Sequence, residues 1–190
     1  MANTGYISTG KPLVDGAIYR APLGTELPTN ATSELGSDFV SLGFVSDNGY
    51  SNANSAEVNK LKAWGGKIVM TSTTEKPDTF TFTLLECINP DVLKAVYGDD
   101  NVIVDAITGG ITIRANANEQ EECVWIIDTM LHGKRKRTVV PNGKVSSVGE
   151  VVYNDTGAVG YETTVDAMPY DGYDGDTHRE FVEGTTPESE

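Results

Sequence analysis

TFTFTLLECINPDVLKAVYGDD, residues Thr79 to Asp100, changes its period half-way along. Phe80, Phe82 and Leu84 alternate with Thr79, Thr81 and Thr83, so an extended chain would place apolar groups on one face and hydroxyls on the other. From Asn89 the pattern becomes helical. Asn89 is a good N-cap, Pro90 stands where its missing N–H costs nothing, and Asp91 complements the helix dipole. Val92, Leu93, Val96 and Tyr97 then share one side, and Gly98 supplies the stop. A helix of about two turns is marginal alone, so packing over a sheet must hold it.

Strand signals surround this helix. Lys67 to Thr71 reads as a strand, TEKPD at Thr74 to Asp78 as a turn, and Thr79 to Cys87 as the returning strand of a hairpin. Val102 to Ala106, Gly110 to Ala115 and Cys123 to Leu131 are rich in β-branched and aromatic residues. In the last of these Cys123, Trp125 and Ile127 oppose Val124, Ile126 and Met130, so both faces require cover, as in a central strand or a subunit contact. Three more strands follow, Arg137 to Val140, Lys144 to Tyr153 and Gly160 to Met168, divided by the turn-formers Pro141-Asn142-Gly143 and Asn154-Asp155-Thr156-Gly157. The fold expected is mainly β: an antiparallel β-sandwich or split barrel flanked by one short α-helix at about 90–97.

The ends read differently. Residues 1–30 are expected as an N-terminal arm, residues 31–169 as the β domain, with a long irregular loop at about 32–66, and residues 170–190 as an acidic tail. That tail carries seven acidic residues and one basic residue, Arg179, with little apolar periodicity.

Composition narrows the function. The 190 residues include 38% apolar residues, enough for a core, and no segment approaches the roughly 20 apolar residues of a membrane helix. No membrane insertion is expected. Fourteen Lys and Arg against 28 Asp and Glu give a net charge of −14, which argues against a surface that neutralises nucleic-acid phosphates. Lys134 to Arg137 form the one basic run, read as a turn between strands and as a contact for an acidic partner.

Candidate chemistry is sparse. Cys87 and Cys123 sit in apolar runs without metal-ligand spacing and read as buried thiols. Asp171, Asp174 and Asp176 lack the order of a calcium loop, and neither His132 nor His178 stands in a nucleophile motif. Asp99 and Asp100 are the acids a hydrolase reading would use, but turn-forming acids are much commoner. No catalytic residue, metal or cofactor is assigned.

Four segments occur in order: LGFVSDNGYS at Leu42 to Ser51, KAWGGKIV at Lys62 to Val69, TFTFTLLECINPDVLKAVYGDDNV at Thr79 to Val102, and VGEVVYNDTGAVGYETTVDAMP at Val148 to Pro169. With them the chain, from about Tyr19 to Pro169, resembles the major tail protein, or tail tube subunit, of long non-contractile-tailed bacteriophages (siphoviruses) of the Gram-positive-host type. The resemblance implies a structural virion protein, not an enzyme, that self-assembles into homo-hexameric rings stacked as a tube. It implies the tape-measure protein, tail terminator and distal tail protein as partners, transient non-specific passage of double-stranded DNA, and assembly in the host bacterial cytoplasm. Carboxylates lining such a conduit would repel phosphates.

Within the expected loop, Phe39, Val40, Leu42, Phe44, Asp47, Asn48, Tyr50 and Trp64 are candidates for inter-ring or inter-subunit contact, since a lone surface loop does not normally expose so much apolar surface. The competing alternative is a monomeric β-sandwich module that binds carbohydrate or a cell surface through Tyr161, Tyr170 and Tyr173.

Overall fold

The computed structural model describes residues 4–13 and 16–184. In chain order the strands are β1 (Gly10–Pro12), β2 (Ile18–Pro22), β3 (Val40–Ser41), β4 (Val45–Asn54), β5 (Glu57–Lys62), β6 (Ile68–Glu75) and β7 (Asp78–Leu84). Helix α1 (Pro90–Tyr97) comes next, followed by β8 (Val102–Val104), β9 (Ile111–Ile113), β10 (Cys123–Leu131), β11 (Lys134–Val148), β12 (Tyr161–Ala167) and β13 (Arg179–Val182). The main sheet runs β3-β2-β10-β11-β12-β7-β4 with antiparallel pairing throughout. β1 extends the β2 edge of β10, and β13 extends the β12 edge of β11. β5–β6 and β8–β9 form separate two-stranded hairpins.

The alternation of β10 is resolved by two apolar layers. Cys123, Trp125 and Ile127 join Phe80, Phe82, Leu84 and Val165 on one face, where α1 supplies Val92, Leu93 and Val96. Val124 and Ile126 meet Ala21, Val139 and Tyr173 on the other, with Leu27, Leu35, Phe39 and Phe181 packed alongside. Full burial of each aliphatic side chain of α1 contributes about 1.5–3 kcal/mol, enough to offset the nucleation cost of so short a helix. Its ends form as expected: Asn89 Oδ1 accepts the Asp91 amide at 3.0 Å, and Gly98 takes φ 94° as its amide donates to Lys94 O.

Sequence expectations change at several points. Residues 1–30 are not simply an arm, because β2 lies beside β10 with Ile18 and Ala21 buried; residues 1–3 fall outside the described part. The acidic tail likewise enters the fold: β13 pairs with β11, Tyr173 is buried, and the Arg179 guanidinium lies 4.2 Å from its ring centroid. Residues 185–190 of that tail lie outside the described part. The loop at 32–66 contains β3, β4 and β5, and the expected hairpin of Lys67–Thr71 with Thr79–Cys87 does not form: β6 returns on β5, leaving β7 between β4 and β12. Gly65 and Gly66, at φ 99° and 86°, close the β5–β6 turn with the Ala63 amide donating to Lys67 O at 2.8 Å.

Finally, Pro141-Asn142-Gly143 is no turn but a bulge inside β11. Trp125 pairs with Val140 and Cys123 with Gly143, so the Pro and Asn occupy an irregular step where a missing amide is tolerated. The glycine is required by close approach: a Cβ there would meet Trp125 Cδ1 at 2.8 Å and Val165 Cγ1 at 2.9 Å. The predicted strand from Lys144 joins this long strand and ends at Val148, while Asn154 Oδ1 closes its turn by accepting the Thr156 and Gly157 amides.

Candidate assembly surface

The β5–β6 hairpin stands away from both apolar layers. Every residue of β5 is exposed, as are Ile68 to Thr71 of β6. The register sets Leu61 opposite Met70 and Lys62 opposite Ile68. Leu61, Ile68 and Met70 are 60%, 48% and 57% exposed, and Trp64 at the turn is fully exposed. An isolated two-stranded hairpin is at best marginal in water, and among the described residues nothing covers this one. Lys60, Lys62 and Lys67 flank the tryptophan without a carboxylate between Lys60 and Lys67, in a chain of net charge −14.

The contact candidates separate by environment. Leu42 is buried, its amide donating to Ile18 O at 2.9 Å, and Phe39 and Tyr50 pack half-buried against the two layers. Val40 on end strand β3 and Phe44 are exposed; the Phe44 amide donates to Glu86 Oε1 at 3.1 Å. Asp47 and Asn48 are exposed where β4 bulges, since Val45 pairs with Leu84 and Tyr50 with Phe82. The sequence reading named Trp64 but missed Leu61, Met70 and the lysines; the signal was a Gly-Gly turn between two stretches that each mix apolar and cationic residues.

Residues considered for other chemistry have structural partners. Asp99 holds Arg20 Nη1 at 2.7 Å, while Arg20 Nε donates to Cys123 Sγ at 3.1 Å. Burial pushes the Cys123 thiol up despite the adjacent guanidinium. Cys87 and Cys123 are free thiols, as expected, Cys123 buried and Cys87 partly so. Asp174 and Asp176 accept from Arg179. Tyr161 and Tyr173 are buried and Tyr170 stacks edge-on against Tyr173, so these rings do not form an open aromatic platform.

The basic run is also partly internal. It opens β11 after a His132-Gly133 turn, and Arg137 is 2% exposed, with Nε and Nη2 each 2.7 Å from the carboxylate of buried Asp128. Its Nη1 donates to Ser33 O at 2.7 Å, tying the 30–35 segment to the sheet. A polar group made this interior position invisible to a hydrophobic pattern.

Asp78 forms a second anchor. Its carboxylate accepts from Asn52 Nδ2 at 2.8 Å and Thr177 Oγ1 at 2.5 Å and lies 2.5 Å from His178 Nδ1. Burial pushes its carboxyl up, but the bonds from Thr177, Asn52 and His178 outweigh this and hold it below the ordinary carboxylate value.

Residues 13–180 match the phage tail tube protein family. The chain belongs to that family. Among individual curated proteins none matches significantly. The tail tube protein is therefore a structural virion component, not an enzyme, and it assembles with other tail proteins into a multi-subunit tube. Among the described residues no helix is long and apolar enough to cross a membrane.

Proposed function

We propose that this tail tube protein forms hexameric rings that stack into a hollow conduit for double-stranded DNA, with β5–β6 making contact between copies. The observation that carries this reading is the hairpin: two strands with exposed apolar side chains and a fully exposed Trp64, separate from the main sheet. Phe44, Val40 and the bulge at Asp47 and Asn48 are further contact candidates. The −14 charge supports a wall that repels phosphate and lets DNA pass without sticking. Its tail partners would be the tape-measure, terminator and distal tail proteins.

Electron microscopy of the concentrated protein beside its light-scattering mass tests this directly. Six-fold rings or tubes are expected, and replacement of residues 57–75 by a short Gly-Ser linker should leave folded subunits that do not elongate. Wild-type rings of another symmetry would overturn the hexamer; undiminished elongation by the shortened chain would overturn the hairpin contact. Lysines substituted for whichever acids a tube map places at the lumen should slow DNA delivery, and unchanged infection would refute electrostatic repulsion.

A further inference from the structure

A groove of about 590 Å³ runs between the open end of the sheet and α1. Its apolar lip is formed by Leu23, 47% exposed, and Val40, 40% exposed, on the loop after β2 and on end strand β3. Asp38, Asp91, Glu121 and Glu122 line it, and Lys94 is the one lining cation not already paired, since Arg20 is held by Asp99. The groove thus offers an apolar shelf beside excess negative charge.

The tip of β5–β6 has the converse character: an exposed indole with Lys60, Lys62 and Lys67 around it. We infer that this tip docks into the groove of a second copy, with Trp64 against Leu23 and Val40 and the lysines facing Asp38, Glu121 and Glu122. The inference rests on the hairpin contact proposed above and assigns its receptor. Tryptophan suits such an anchor because it buries a large area with few rotors to immobilise, and the charges select the partner surface and accelerate its encounter. Exposed charges of this kind are screened, so docking weakens as salt rises from about 0.05 to 0.5 M.

The occupant is a copy of this chain because its own hairpin tip, Lys60 to Lys67, carries three lysines and no carboxylate, in a chain whose net charge is −14. A head-to-tail contact of tip and groove uses two different patches, so it propagates from copy to copy, as a tube requires.

Reciprocal charge exchange tests the pairing. Lys60→Glu, Lys62→Glu and Lys67→Glu together, or Asp38→Lys, Glu121→Lys and Glu122→Lys together, should each raise the concentration needed for assembly at least tenfold, measured by sedimentation. Both sets in one chain should restore it to within threefold of wild type. All six sites are exposed, and circular dichroism checks folding. In parallel, Trp64→Cys with Val40→Cys should give an oxidised ladder of linked copies that neither single variant gives, a capture that does not depend on tube growth.

Failure of the hairpin set alone, with the groove set assembling normally and no ladder, overturns the groove as receptor but keeps the hairpin contact. Normal assembly by both sets overturns the hairpin contact as well. A wild-type chain monomeric at every concentration, with no ladder, overturns docking between copies.

Discussion

β10–β11 and β5–β6 are both antiparallel hairpins closed through glycine, yet they have opposite environments. The first is buried from Cys123 to Thr129 between two apolar layers, and the second is exposed along the whole of β5. Local turn chemistry is therefore shared, and cover is what differs. β10–β11 obtains its cover from α1 on one side and from the 23–39 segment and the C-terminal segment on the other. β5–β6 has no such cover among the described residues.

The largest effect expected is at the ion pair that fastens the buried hairpin. Arg137→Ala leaves the Asp128 carboxylate buried without its guanidinium and removes the donor to Ser33 O, so urea unfolding should show a loss of about 3–5 kcal/mol. Replacing both Arg137 and Asp128 by leucine should cost less than that single change, because no uncompensated charge remains. A loss under 1 kcal/mol for Arg137→Ala would show that the covered hairpin does not depend on this anchor.

A smaller effect belongs to Asp78, which fastens β7 to the segment before β13. Its folded value lies below the ordinary one, so its contribution is complete above the ordinary carboxylate pKa and is lost as pH falls through the folded value. Asp78→Ala removes the acceptor of Asn52 and Thr177 and should cost about 1–3 kcal/mol at neutral pH. The difference from wild type should shrink towards acid pH. A constant difference across the acid limb would remove this carboxylate from the account of acid stability.

The two hairpins also differ in how far the sequence disclosed them. β10 was legible to its ends because apolar residues on both faces leave a continuous run, and α1 because its cap, proline and stop are local signals. β7 was legible through alternation. One of its two partners was not: β4, with mostly Ser, Asn and Asp, buries little, and an edge strand without an apolar face has no hydrophobic period. β2 and β13 were hidden for another reason, being strands of five and four residues whose stability comes from long-range neighbours. Of the candidate surface, Trp64 was visible as an apolar residue out of place. The groove was not, since it joins Asp38 to Glu121 only through the fold.

The smallest effect on stability is expected at the most conspicuous side chain. Trp64→Ser removes an indole that touches solvent throughout, so thermal unfolding of the subunit should shift by no more than about 0.5 kcal/mol, as for other exposed sites. Core tryptophans behave otherwise: truncation of Trp125, 2% exposed with Nε1 donating to Gly143 O at 3.1 Å, falls in the range of about 3–5 kcal/mol. Assembly should reverse the ranking, because a residue without partners in the subunit acts only where a second copy supplies them. If Trp64→Ser destabilised the isolated subunit by 2 kcal/mol or more, the hairpin would have cover within its own chain, and the contrast between the two hairpins would fail.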